Sequence, residues 1–157
     1  MPIILSAKTH PGLLGEHDRL VGWPLGAADA VTTPLAVTLL PGAAPQTGLI
    51  HLTLDPVTLT LAATSAGSSQ HYFRLADATL RPLPAAATLT LARGDAYIAV
   101  SSGALRLTDS PAMARYLHVH DNFNAARLAE GLLRCLAQES GQTEFPEDVT
   151  VVVVEAR

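Results

Sequence analysis

The 157-residue chain is 48% hydrophobic and 15% charged, a balance that argues for a packed globular protein and against disorder. Its net charge of −4, with Lys8 the only lysine among ten scattered basic residues, gives no electrostatic footprint for nucleic acid. No apolar run approaches the ~20 residues of a membrane-spanning helix, and Met1–Leu5 is too short for a signal-peptide core. The single Cys135 has no disulfide partner, so the expectation is one soluble domain over residues 1–157 in a reducing cytoplasm.

Gly12 to Gly48, rich in Gly, Pro and Ala, is the least readable part of the chain, although β character begins at Leu35. "LIHLTL" alternates, with Ile50, Leu52 and Leu54 on one face. "VTLTLAA" repeats the pattern with Val57, Leu59 and Leu61 inward, and Asp55-Pro56 between them predicts a hairpin. "HYFRLADATLRPLP" reads as a short hairpin around Ala76-Asp77. "TLTLARGDAYIAV" reads as another, turned at Arg93-Gly94-Asp95, where glycine can take a positive φ.

Beyond Ser102 the pattern becomes helical. "SPAMARYL" can form a short helix with Ser110 as N-cap and Pro111 at the first helical position. "NAARLAEGLLRCLAQES" is the surest helix. Leu128, Leu132 and Leu136 lie on one stripe that Leu133 broadens, Asp121 or Asn124 can cap it, and Gly141 stops it. "VTVVVV" (Val149 to Val154) is apolar on both faces, which predicts a central strand covered on both sides. Strands first, then helices, then a strand that returns to the middle of a sheet predict an α+β fold: an antiparallel β-sandwich core with covering C-terminal helices.

In this order the motifs resemble those of the metal-dependent type 2C Ser/Thr protein phosphatases. "LTLARGDAYIAVSSGAL" is similar to that family's "L-x-x-G-D-x-h-h-h-x-(S/T)-D-G-h". Gly94, Asp95, Ser101 and Gly103 fit, and Ser102 replaces the aspartate. "FPEDVTVVVVEA" is similar to the closing "D-(N/D)-h-T-h-h-h-h", with Glu147 in place of the aspartate and with Asp148 and Thr150 matching. "SAKTHPGLLGEHDRL" resembles "T-D-x-G-x-x-R-x-x-N-E-D", with Glu16 and Asp18 near the acidic pair and the arginine missing. The family's Gly-Asp-Ser-Arg turn reads Gly67-Ser68-Ser69-Gln70. Its "D-G-h-G-G" strand-turn and two following helices have no counterpart in residues 21–48.

The resemblance implies a reduced type 2C fold whose chemistry needs two divalent cations about 3.5–4 Å apart among converging carboxylates. Of the implied acids, one survives as Asp18, one is missing with its segment, one is the neutral Ser102, and one is the longer Glu147. Glu16, Asp18, Ser102, Gly103, Glu147 and Asp148 are thus vestigial site positions, with no catalytic residue and no metal ligand assigned, and no cofactor expected. The expectation is a pseudophosphatase: a non-catalytic module of cytoplasmic, bacterial signalling that binds a protein partner or itself, with no nucleic acid or membrane partner. A face left bare by the missing helices would be apolar and would pair as a dimer. Two alternatives stay open: a weakly active phosphatase holding one manganese or magnesium ion at Asp18, Glu147 and Asp148, and an unrelated small α+β binding domain.

Other constellations read better as structure. His118, His120 and Asp121 have no second half for a zinc site, so a surface turn is expected. Ser68 or Ser69 with His71 and Asp77 cannot converge as a triad from alternating hairpin positions. Cys135 reads as a buried small hydrophobe, Trp23 as a core anchor, and Arg93-Gly94-Asp95 as a turn.

Overall fold

The computed structural model describes residues 2–13, 17–24, 31–42, 49–67, 69–77, 79–101, 116, 125–140 and 148–157. Ten strands and one helix lie within them: β1 (Ile3–His10), β2 (Arg19–Val21), β3 (Leu35–Leu40), β4 (Ile50–Asp55), β5 (Thr60–Ser65), β6 (Gln70–Arg74), β7 (Leu80–Pro82), β8 (Ala86–Thr90), β9 (Ala96–Val100), α1 (Ala125–Ser140) and β10 (Val149–Ala156). They form two five-stranded sheets of order β1-β10-β9-β6-β7 and β2-β3-β4-β5-β8, and every pairing is antiparallel.

The valine run of β10 explains the layering. Val149, Val151 and Val153 face α1 and pack with Ile98, Val100, Leu128, Leu132 and Leu136. The alternate residues Val152, Val154 and Ala156 face the second sheet and pack with Leu5, Val37, Leu39, Ile50, Leu52, Leu54 and Leu61. A strand buried on both faces must be central, and β10 lies between β1 and β9. The leucine stripe of α1 is equally direct. Leu128, Leu132 and Leu136 are at most 4% exposed, and each contributes about 1.5–3 kcal/mol on burial. Cys135 is buried beside them, and half-buried Leu133 widens the stripe. The result is an α+β sandwich: helix, sheet, sheet.

Three expectations change. The turn after β4 is longer than Asp55-Pro56, running through Leu59. Asp55 Oδ1 accepts the amides of Val57 and Thr58 at 2.9 and 3.4 Å, and this Asx turn leaves Val57 81% exposed and Leu59 at a φ of 58°. The inward residues of β5 are therefore Leu61 and Ala63.

Second, β8 and β9 do not pair. The Arg93–Asp95 turn carries the chain from one sheet to the other, as an arch instead of a hairpin. Long-range bonds decide this. Leu91 donates to Leu59 O at 2.8 Å in one sheet, while Gly94 donates to Ala156 O at 2.8 Å in the other. Asp95 clamps the arch, its carboxylate accepting the amides of Ala76 and Ala92 at 3.0 Å each. The β6–β7 hairpin around Ala76-Asp77 forms as expected.

Third, the outer face of the β2–β8 sheet is exposed and mixed instead of uniformly apolar. Ala36, Thr53, Ala62, Thr64 and Thr88, all small and uncharged, line its middle and β8 side, while exposed Val21 and Arg19 lie on its β2 side. The expected short helix over 110–117, its Ser110 cap, the Asp121 or Asn124 cap and the Gly141 stop lie outside the described residues, apart from Tyr116, which is helical. Trp23 is half-buried against the inter-sheet core, as an anchor should be.

Candidate functional site

Three strand ends meet at one end of the first sheet: the C-terminus of β1, the C-terminus of β9 and the start of β10. Their register sets His10 opposite Val149 and Thr9 opposite Thr150. Ser101, just past β9, donates its amide to Thr150 O at 3.0 Å, and Thr150 returns its own amide to Ser101 Oγ at 2.9 Å. The loop after β1 brings Asp18 to this edge, and Asp148 lies there just ahead of β10.

Asp18 is tied by three donors. Ser101 and Thr150 both donate their hydroxyl protons to Oδ2, at 2.7 and 2.8 Å, and the Gly42 amide donates to Oδ1 at 2.9 Å. An ionised carboxylate only accepts, so the single proton of each hydroxyl points at Asp18. Thr9, 2.8 Å from Thr150 Oγ1, is therefore the donor in that pair.

Asp148 is a second clamp. Only 6% exposed, it accepts the Gly12 amide on Oδ1 at 2.7 Å and the Asp18 amide on Oδ2 at 3.0 Å. His17, largely exposed, lies 3.2 Å from both oxygens. Burial works against the Asp148 charge, but the Gly12 and Asp18 amides and His17 outweigh it and hold the carboxyl below the usual carboxylate range.

Of the positions expected from sequence, Asp18 and Asp148 are thus brought together. Glu16, Ser102, Gly103 and Glu147 lie outside the described residues, as do Ser68, His118, His120 and Asp121. Thr9, Gly12, His17 and Gly42 had no place in the sequence reading. The local signal for them was slight, since two of the contacts are main-chain amides and the chain separations are long. Among the described residues no group of three or more His, Cys, Asp or Glu side chains is placed to hold a metal ion.

Two divalent cations are a poor fit for the acids described. A cation needs lone pairs pointed at it, whereas Asp18 and Asp148 are ringed by donated protons: two hydroxyls and three amides. Those donors supply, without metal, the compensation that a carboxylate at this edge requires.

The triad arrangement is excluded by geometry. His71 Nε2 faces the Pro84 carbonyl, which can only accept, so this nitrogen carries the proton and Nδ1 accepts from the Tyr97 hydroxyl at 3.1 Å. Ser69 instead donates to Ser101 O at 3.2 Å, and Asp77 sits exposed in the far turn with Thr79. Burial lowers the His71 pKa and raises that of Tyr97, so this interior pair is neutral.

No protein-family profile matches the chain, and no curated protein sequence matches it. Solved structures do. PppA of Pseudomonas aeruginosa, described as a key regulatory component of T6SS, superposes with a TM-score of 0.65 at 11% identity over 100% of this chain and 99% of its own. The phosphatase domain of the Bacillus subtilis cell-fate determinant SpoIIE gives 0.64 at 17% identity over 98% and 91%. A longer SpoIIE chain, which includes a fragment of the regulatory domain, gives 0.65 at 14% identity, and this chain spans 61% of it. The Mycobacterium tuberculosis Ser/Thr phosphatase PstP gives 0.62 at 14% identity over the whole of both chains. Identities this low carry the architecture and nothing finer: the chain has the fold of the type 2C protein phosphatases, in a reduced α+β form.

Proposed function

We propose that residues 1–157 form one phosphatase-like domain that acts by binding protein and not by hydrolysing phosphate esters. The observation that carries this is the state of Asp18. Three protein donors already occupy it, two of them the hydroxyls of Ser101 and Thr150 on a single oxygen. A water-activating two-metal centre would compete with these donors for the Asp18 carboxylate, and it would need further acids around it.

Regulatory roles among proteins of the same fold support a signalling context. PppA is described as a key regulatory component of T6SS, and PppA, SpoIIE and PstP all come from bacteria. No described helix is long and apolar enough to cross a membrane. We place the domain in the cytoplasm of a bacterium, with a protein partner or a second copy bound to it.

Hydrolysis of p-nitrophenyl phosphate with and without manganese tests this reading. It expects no turnover above buffer in either condition. Manganese-dependent turnover that Asp18→Asn removes would overturn it. A second reading, a divergent single-metal phosphatase using Asp18, Glu147 and Asp148, draws on a PstP catalytic domain solved with two manganese ions and RsbX solved with magnesium. It expects the opposite result.

A further inference from the structure

An exposed sheet edge offers unpaired amides and carbonyls to any passing strand, and proteins blunt such edges with charge, proline, brevity or cover. Among the described residues, three of the four sheet edges are blunted. β7 has three residues, including Arg81 and Pro82. β2 has three, beginning at Arg19. β1 carries exposed Lys8, and Ile3 O on its outer side is taken by the Val31 amide at 2.8 Å. β8 is five residues, "AATLT", with no charge, no proline and no strand on its other side among the described residues.

Register defines what that edge presents. Thr60 pairs with Thr90 and Thr64 with Ala86, and the main-chain bonds just beyond the strand ends, Ser65 to Ala85 O and Leu91 to Leu59 O, fix the alternation. Ala85, Ala87, Leu89 and Leu91 therefore point their main-chain groups at β5, while Ala86, Thr88 and Thr90 point theirs outward. These three residues are also exposed, and Ala87 and Leu89 are half-buried.

We propose that β8 is a self-pairing edge: two copies of the chain join antiparallel about Thr88, making one continuous ten-stranded sheet. Ala86 then faces Thr90 of the second copy, and the two Thr88 residues face each other. The outward groups close into three reciprocal pairs of hydrogen bonds. The choice of a second copy follows from the sequence of the strand. Antiparallel self-pairing sets each position against its mirror, and "AATLT" meets itself with no like charges opposed and with a Thr–Thr pair at the centre. On the inner side, the half-exposed Leu89 of each copy covers Ala87 of the other. This inference rests on reading the domain as a binding module and narrows where a second copy attaches. It does not depend on the state of the acids.

Sedimentation equilibrium of the purified chain, over concentrations up to about 1 mM because an edge contact is small, tests the proposal. The weight-average mass should climb from 16.4 kDa toward twice that value. Thr88→Lys, which opposes two lysines at the axis, should return it to the monomer with the melting temperature unchanged. Thr53→Lys, on the same outer face but in the interior strand β4, should leave association intact. A monomer at every concentration, or association that survives Thr88→Lys, would overturn the proposal. Loss with Thr53→Lys would overturn it too, assigning the contact to stacked sheet faces. None of these outcomes bears on phosphatase activity, so this proposal and the proposed function fail separately.

Discussion

Asp148 accepts the main-chain amide of Asp18 on its Oδ2 at 3.0 Å, so one acid of the site holds the backbone of the other. The two carboxylates are joined through the main chain into a single structural knot. Asp148 fixes the loop after β1, and that loop delivers Asp18 to the hydroxyls of Ser101 and Thr150.

Asp148→Asn should therefore destabilise the fold by about 1–3 kcal/mol at neutral pH, because its amide nitrogen would face a main-chain donor. The wild-type contribution also has a defined pH window. The folded carboxyl titrates below its unfolded value of about 4, so its stabilisation is present above that pH and is lost as pH falls through the folded value. Urea unfolding between pH 7 and pH 2.5 should show a slope in the wild type that is shallower in the variant.

Ser101→Ala should cost a similar amount, about 1–3 kcal/mol, since it orphans the Thr150 amide and strips one donor from Asp18. Ser101→Thr should recover most of that loss, because the hydroxyl is retained. Equal melting temperatures for Ser101→Ala and the wild type would contradict the network.

His71 predicts a second pH dependence at milder acidity. Burial lowers its folded pKa, so the unfolded chain takes up a proton first as pH drops through about 6.5. Stability from this group is complete above that pH and declines below it, until the folded ring also protonates. Stability measured at pH 7.5, 6.5 and 5.5 should fall across the series, and His71→Asn should start lower and fall less. Its lower start reflects the Tyr97 hydroxyl, which loses its best acceptor.

Gly94→Ala tests the arch between the sheets. Gly94 has a φ of 90°, and a Cβ there would sit 2.9 Å from that of Ala76. The left-handed conformation alone costs an L-residue about 1–2 kcal/mol, and the contact adds to it. A drop in thermal midpoint is expected. An unchanged midpoint would mean that the arch is free to reshape.

What sequence reveals here follows the range of the interaction. β10 was legible because a strand covered on both sides must be apolar at every position, and α1 because its leucines recur at the helical period. The β6–β7 hairpin was legible because Ala76-Asp77 closes it locally. The arch at Gly94 was misread because a positive-φ glycine serves a hairpin and an inter-sheet turn equally well. Only distant partners, Leu59 and Ala156, distinguish them. β3 was legible at its start, Leu35, although a Gly/Pro/Ala-rich stretch surrounds it, because Leu35, Val37 and Leu39 alternate; β2 within the same stretch was not. At the site, Asp18 and Asp148 were found by motif order. Their roles as clamps were not, because Gly12, His17 and Gly42 reach them through folding alone.

The most direct test of the central claim is isothermal titration of the purified chain with manganese. No heat beyond dilution is expected, since Asp18 and Asp148 already accept from protein donors. Saturable binding that Asp18→Ala or Glu147→Ala abolishes would contradict it, and would mean that a cation displaces those donors.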